Sequence, residues 1–494
     1  MCIGMFMAIL DIQVVATSLP RIGAALSVGE DGLSWIQTAY LILEIVAIPL
    51  TGFLTRALSL RWLFAGSTLM FVLASLGCAV SGNFDQLIVF RALQGFSGGA
   101  LIPAVFTSVF VIFPRQAQPL ATVLAGGFAM IAPTLGPALG GYLTQVYTWH
   151  SIFLINILPG LLVCAVVTRF VRAGQPDLGE LHKIDYITVV LAAAFLASLM
   201  LLLKEAPKLS WSGVEVHALE VVCAITLTAT IHQCLTRPHP FVHLRKFGDR
   251  AFATGAILSF VTGLGLYGGT YLLPVFLGYV RHHNPLEIGE IVIIAGAAQL
   301  IATPVTALVE PRTSPKWLGL FGFALFGAGL IANGFMEPTT DFAGLFWPQV
   351  LRGVAVMLCI LPATRYALDN WAPDELADAS ALFNLMRNMG GAIGIALVDT
   401  VLQQRTPDHV QHIVDKLQAG DRATAVFVGL PAGPFHGQSL GPIDDITKAI
   451  VKPLVERAAL TQSFNDAWLL TGGIFALALL VFLLAPKNVS AHRP

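Results

Sequence analysis

Apolar stretches of roughly 20 residues, divided by short polar breaks, recur along this chain from Ile3 to near its end. A helix rising about 1.5 Å per residue needs about that length to cross the hydrocarbon of a bilayer. Hydropathy and the Gly, Pro and charged breakers predict fourteen membrane helices, at about 3–23, 33–54, 62–80, 86–110, 119–142, 149–169, 184–203, 214–235, 252–279, 286–309, 316–335, 343–366, 376–402 and 464–486. The sizeable polar piece is 403–463. It opens with Asp408, His409, His412 and Asp415, passes a Gly/Pro-rich stretch at 430–442, and then places Ile443, Ile446, Ile450 and Leu454 at helical spacing. That spacing fits an amphipathic helix on a membrane or a partner, and equally a solvent loop containing a short helix.

The first apolar segment has no basic flank and runs through Asp11 to Pro20 without a small-residue cleavage site. It reads as a membrane helix rather than a cleavable signal, though it begins as abruptly as a start placed a few residues late would. An even number of crossings puts both termini on one side. With the termini in the cytoplasm, Arg56, Arg61, Arg115, Arg169, Arg172, Lys183, Arg237, Arg245, Lys246, Arg250, Arg312, Lys316 and Arg365 fall in inner loops, with Lys487 and Arg493 in the tail. The short outer loops hold only Arg21, Lys204, Lys208 and Arg281. Positive residues favour the inner side, so this orientation is expected, with 403–463 outside.

Composition sharpens the picture. Of 494 residues 56% are hydrophobic and 12% charged, too few charges to coat a soluble globule of this size. The net charge of −1 argues against a nucleic-acid partner. The six cysteines form no C-x-x-C pair and lie in or beside apolar stretches, so buried packing, not a metal or redox role, is expected of them. No phosphate-binding Gly-rich loop with Lys-Ser/Thr and no nucleophile elbow occurs, which points to an ion gradient as energy source. No metal and no cofactor is expected, and the protein reads as a carrier rather than an enzyme.

Charges left inside the predicted helices carry the candidate chemistry. Asp11 and Glu44 stand near the middle of the first two, Arg91 in the fourth, Arg352 in the twelfth and Arg387 in the thirteenth. Exposing one to lipid costs about 2.5–3.5 kcal/mol, so each faces protein or a water-filled space. An acid at such depth can load and unload a proton, and an arginine beside it can bias that exchange without titrating itself. The other reading is a static acid–arginine pair that pins helices together. For Arg352 and Arg387 the bracing reading is favoured. In the fifth segment Gly127, Gly136, Pro137, Gly140 and Gly141 mark a helix that bends or lies close to a neighbour.

These motifs together resemble the fourteen-span drug:proton antiporters of the major facilitator superfamily, over nearly the whole chain. Leu10-Asp11-Ile12 with Pro20 nine residues on resembles that family's first-span pattern, with Thr17 or Ser18 near the place of its usual Asn. Arg91-Ala92-Leu93-Gln94-Gly95 resembles the motif whose arginine is linked to proton transfer. Gly127 with Gly136-Pro137-Ala138-Leu139-Gly140-Gly141 resembles the motif of exporters, and Trp149 with Phe153-Leu154-Ile155-Asn156 the sixth-span entry. The inner gate loop departs from the pattern: in Gly52-Phe53-Leu54-Thr55-Arg56-Ala57-Leu58-Ser59-Leu60-Arg61, Arg56 stands at the acidic position and Ser59 at a glycine.

The resemblance implies an all-α fold of two six-helix bundles, 1–170 and 251–494, the second carrying the outer loop 403–463, with 171–250 an inserted helix pair. It implies alternating access, in which a proton from outside loads Asp11, shared with Glu44, and an amphipathic drug displaces it from inside. It also implies a multi-pass protein of the cytoplasmic (inner) membrane, and for double-membrane bacteria a periplasmic adaptor and an outer-membrane channel as partners. Two other functions fit less of the chain: an exporter of one dedicated metabolite or siderophore, and a proton-channel subunit of a respiratory complex. The latter needs lysines in mid-helix, whereas every lysine here can be placed in a loop or at a helix end.

Overall fold

The computed structural model describes residues 1–28, 30–172, 174–177, 179, 185–209, 211–237, 243–369, 371–372, 375–433, 435, 437 and 445–485. Lys183, Ile443, Lys487 and Arg493 lie outside the described residues, as do the side chains of Thr17, Pro20, Met130, Pro137, Ala138 and Ile446. The described elements are helical, with no strand among them.

Each of the fourteen predicted segments falls on a helix. The first is α1 (Cys2–Leu26); the second and third are joined in α2 (Glu30–Ala79); α3 (Phe84–Ile112) and α4 (Gln118–Val146) follow. The sixth segment is split into α5 (Ser151–Leu154) and α6 (Ile157–Phe170). Then come α7 (Tyr186–Glu205), α8 (Val214–Thr236), α9 (Arg250–Tyr279), α10 (Pro285–Val309), α11 (Pro315–Ala332) and α12 (Phe342–Leu368). The chain ends in α13 (Leu376–Gln418), α14 (Arg422–Val428) and α15 (Asp445–Leu484). Among the described residues eleven helices are long and apolar enough to cross a membrane, one of them holding both segments of α2; α1 and α4 contribute shorter apolar runs.

Two bundles result. In the first, α1 packs on α4, and α2 on α3 and α6; in the second, α9 packs on α13, α12 on α10 and α11, and α15 on α11 and α13. The bundles meet where α2 and α3 touch α13 and where α4 touches α10 and α12. The pair α7–α8 leans on α2 and α13 through α7. Only 22% and 17% of the apolar windows of α7 and α8 are buried, against 78% for α3 and α9, which leaves the pair on the lipid-facing periphery.

Two local features depart from simple spans. Within α2 the helix breaks at Ser59, whose φ of 66° and ψ of 155° belong to a region essentially reserved for glycine. Its buried hydroxyl finds no hydrogen-bond partner among the described residues. The 403–463 segment is largely helical: α13 runs on past its apolar part, α15 begins well before its own, and α14 lies between them. Ile413, Leu417, Ala425, Val428, Val455 and Ala458 give this headpiece a small apolar core of its own. His409 contacts Asp466 at 2.8 Å at its base, tying the two long helices together.

Candidate proton and substrate site

Asp11, on α1, has no exposed side-chain surface, and neither has Arg91 on α3. Arg91 Nη1 donates to Asp11 Oδ2 in a buried ion pair. The other carboxylate oxygen accepts from Gln94 Nε2 and from Asn156 Nδ2, each at 2.8 Å. Gln94 also donates to Ser75 Oγ at 2.8 Å and accepts from Arg91 at 2.7 Å. Asn156 sits at the break between α5 and α6, where its side chain caps nothing and reaches Asp11 instead. The spacing of Arg91 and Gln94, three residues apart on a helix, puts both on the face that meets Asp11. The Ile36 carbonyl accepts from Arg91 Nε at 3.1 Å and the Tyr40 ring lies 4.4 Å from the guanidinium, whose Nη2 is buried with no hydrogen-bond partner among the described residues. Both oxygens of Asp11 are therefore occupied, as a buried charge requires.

Glu44 is different. It lies on α2 with 7% of its surface exposed, and among the described residues it makes no hydrogen bond or ion pair. Its backbone rests against Gly99 of α3, as Tyr40 rests against Gly95; a Cβ at either glycine would collide with the carbonyl of α2. These two glycines bring α3 onto α2 and put Glu44 within electrostatic reach of Arg91 and Asp11.

The second bundle repeats this layout with changed residues. On α12, Gln349 and Arg352 stand three apart as Arg91 and Gln94 do, with Arg and Gln exchanged, and Gly353 abuts the Ala295 carbonyl of α10. Arg352 bonds Gln349 at 3.0 Å and packs 5.1 Å from the Trp468 ring, with no acidic partner among the described residues. It lies inside its bundle. Arg387, on α13, bonds Asn384 and reaches across to Phe106 of α3, 5.2 Å from its ring centre.

At the end of the bundles where α1 begins, the gate residues take distinct places. Arg56 forms an ion pair with Asp378 of α13, and Gly52 lies so close to the backbone of Ala377 and Asp378 that a Cβ would collide. His243, from the segment joining α8 to α9, contacts the same carboxylate at 3.1 Å. Arg115, at the same end, is within electrostatic reach of Asp369. On this rim Arg56 of the first bundle thus pairs with Asp378 of the second, whereas Asp369 is already paired with Arg365 of its own bundle. Arg61 stays within its own bundle, donating to the Thr168 carbonyl. Of the exporter-motif residues, Gly136 lies against Gln13 of α1, Gly127 faces open space, and Gly140 and Gly141 are buried. Sequence reasoning did not single out Gln94, Asp378 or His243. Gln94 could have been found from its spacing to Arg91; Asp378 and His243 have no local signal.

A family model of the Major Facilitator Superfamily matches residues 1–395. The chain is 33% identical, over 100% of its length and 95% of the relative's, to the colistin resistance protein EmrB of Acinetobacter baumannii. It is 28% identical, over 96% of its length and 92% of the relative's, to the multidrug export protein EmrB of Escherichia coli K12. Among solved structures, the human organic anion transporter MFSD10 matches with a TM-score of 0.60 at 12% identity over 97% of each chain. The proton:xylose symporter XylE matches with a TM-score of 0.59 at 11% identity, over 97% of this chain and 93% of its own. At such identities these structures speak to the fold alone.

Proposed function

The chain belongs to the major facilitator superfamily, and from that premise we propose that it exports amphipathic drugs in exchange for protons. The observation that carries the exchange is Glu44, a residue 7% exposed whose carboxyl has no hydrogen bond or ion pair among the described residues. Such a group can neutralise its charge with a proton or with a cationic group of a substrate, and the two exclude each other. Mutual exclusion at one carboxyl makes the exchange obligatory. Asp11 and Arg91 form the fixed pair beside it, which holds α1 to α3 and sets the field in which Glu44 works.

The named contacts between bundles support an account of the conformation. Arg56–Asp378, Ser380 with the Pro103 carbonyl, Arg387 over Phe106, and Gly126 against Met357 all lie toward the end where α1 begins. With that end in the cytoplasm, as the arginine distribution favours, the carrier stands closed to the inside. A proton arriving from outside loads Glu44 and removes a charge from between the bundles, so that the outer halves can approach and Arg56–Asp378 can part. Substrate from the inside then displaces the proton.

In this orientation the protein is a fourteen-span carrier of the inner membrane with both termini cytoplasmic. Its helical headpiece then stands outside, where a periplasmic adaptor and an outer-membrane channel would meet it. The relatives named for multidrug export and colistin resistance support the drug-efflux reading.

The test is drug accumulation by inside-out membrane vesicles with an acidified lumen. Accumulation of a fluorescent lipophilic cation is expected, lost on adding a proton ionophore and absent in Glu44→Gln. Accumulation by Glu44→Gln equal to that of the unmodified protein would take the exchange away from Glu44.

A further inference from the structure

Two charges of opposite sign, one from each bundle, lie between the bundles with no oppositely charged partner among the described residues. Glu44 on α2 and Arg387 on α13 are each 7% exposed. Glu44 bonds to nothing described, and Arg387 has Asn384 and the Phe106 ring but no acid. Helix α3 measures the interval between them. Gly99 lies against the Glu44 backbone, and the guanidinium of Arg387 lies over Phe106. These α3 positions are two turns apart on one face, a rise of about 10 Å. Side chains lean toward the N-terminus of their own helix. The first half of α2 ends where α13 begins, at Gly52 against Ala377 and Asp378, so the two helices run in opposite directions and the two side chains lean apart. They are spaced to hold something between them rather than to neutralise each other. Tyr267 of α9 lines the interval: its ring lies against Gly391 and its hydroxyl donates to Asn388 Oδ1 at 3.3 Å.

We propose that the preferred substrates are elongated aromatic zwitterions, whose ammonium end replaces the proton on Glu44 and whose carboxylate end is received by Arg387. This rests on the reading of Glu44 as the exchange site. The charges balance: ionised Glu44 answers the ammonium, Arg387 answers the carboxylate, and one proton leaves for each substrate bound. A simple lipophilic cation satisfies Glu44 but leaves Arg387 without an anion. A simple lipophilic anion satisfies Arg387 but has nothing with which to displace the proton.

The experiment compares three forms of one scaffold in inside-out vesicles: a quinolone carboxylic acid bearing a distal piperazine, its ethyl ester, and its N-acetyl derivative. The zwitterion is expected to be transported roughly tenfold better than the ester, the factor that one charge-assisted contact supplies, and the N-acetyl derivative, which cannot displace the proton, is expected not to be transported. In Arg387→Gln the ratio of zwitterion to ester transport is expected to fall to about one, whatever the ester's own rate becomes, and Arg387→Lys keeps the ratio. Equal transport of zwitterion and ester, an equal fall of both in Arg387→Gln, or failure of all three while a lipophilic cation still moves would overturn the proposal and leave Glu44 as the exchange site. Unchanged transport of every compound in Glu44→Gln would instead remove the reading beneath it.

Discussion

At the scale of single residues, the two intramembrane acids look alike in sequence and differ in the folded chain. Each is a lone carboxyl in an apolar helix; Asp11 stands in a motif that resembles the antiporters and Glu44 in none, but neither local sequence shows what holds the acid. Only tertiary contact shows that Asp11 is held by Arg91, Gln94 and Asn156 whereas Glu44 has no partner among the described residues. The difference predicts opposite phenotypes. Asp11→Asn strands Arg91 in the bundle and is expected to cost about 3–5 kcal/mol of stability, as breaking a buried pair does. Glu44→Gln breaks no bond among the described residues and is expected to cost about 1 kcal/mol or less. Thermal unfolding in detergent measures both; equal destabilisation would contradict the assignment. Ser59 makes a separate prediction. Its glycine-only backbone geometry costs of order 1–3 kcal/mol, so Ser59→Gly is expected to raise the unfolding temperature. An unchanged or lower temperature would show that the strain is absent.

At the scale of elements, most of the helices were legible because a run of about 20 apolar residues is a one-dimensional signal. The ends of α13 and α15 were not. Residues such as Gln403, Gln404 and Arg405 end the hydrophobic run without breaking the helix, so α13 continues into the headpiece where hydropathy stops. The gate was half legible. Arg56 at an acidic position announced an altered pairing, but Asp378 stands in the first turn of its helix, where a water-facing acid is ordinary, and its partner comes from the other bundle. The pairing predicts rescue by exchange. Arg56→Asp places two acids together and is expected to lower transport at least tenfold, since like charges in contact cost several kcal/mol. Adding Asp378→Arg restores most of that loss. A double variant no better than Arg56→Asp alone would deny that the pair acts across the bundles.

At the scale of the whole molecule, pairs of close-packed helices recur in both bundles, and the charges set on them do not. Among the described residues the first bundle buries an acid–arginine pair and leaves one acid without a partner, and the second buries Arg352 and Arg387 without acids. That asymmetry fits the proposal that one bundle carries the proton and the other receives a different part of the substrate. Orientation belongs to this scale too. Val426 in the headpiece is 61% exposed, so a cysteine placed there is expected to react with a membrane-impermeant maleimide from outside intact cells. Labelling only after the inner face is opened would invert the topology. The exchange itself is tested most directly by counting protons. Purified carrier in weakly buffered detergent solution receives a saturating cationic or zwitterionic drug while a pH dye is followed. One proton released per drug bound, lost in Glu44→Gln, is the expected result; drug binding without proton release from the unmodified protein would contradict the account.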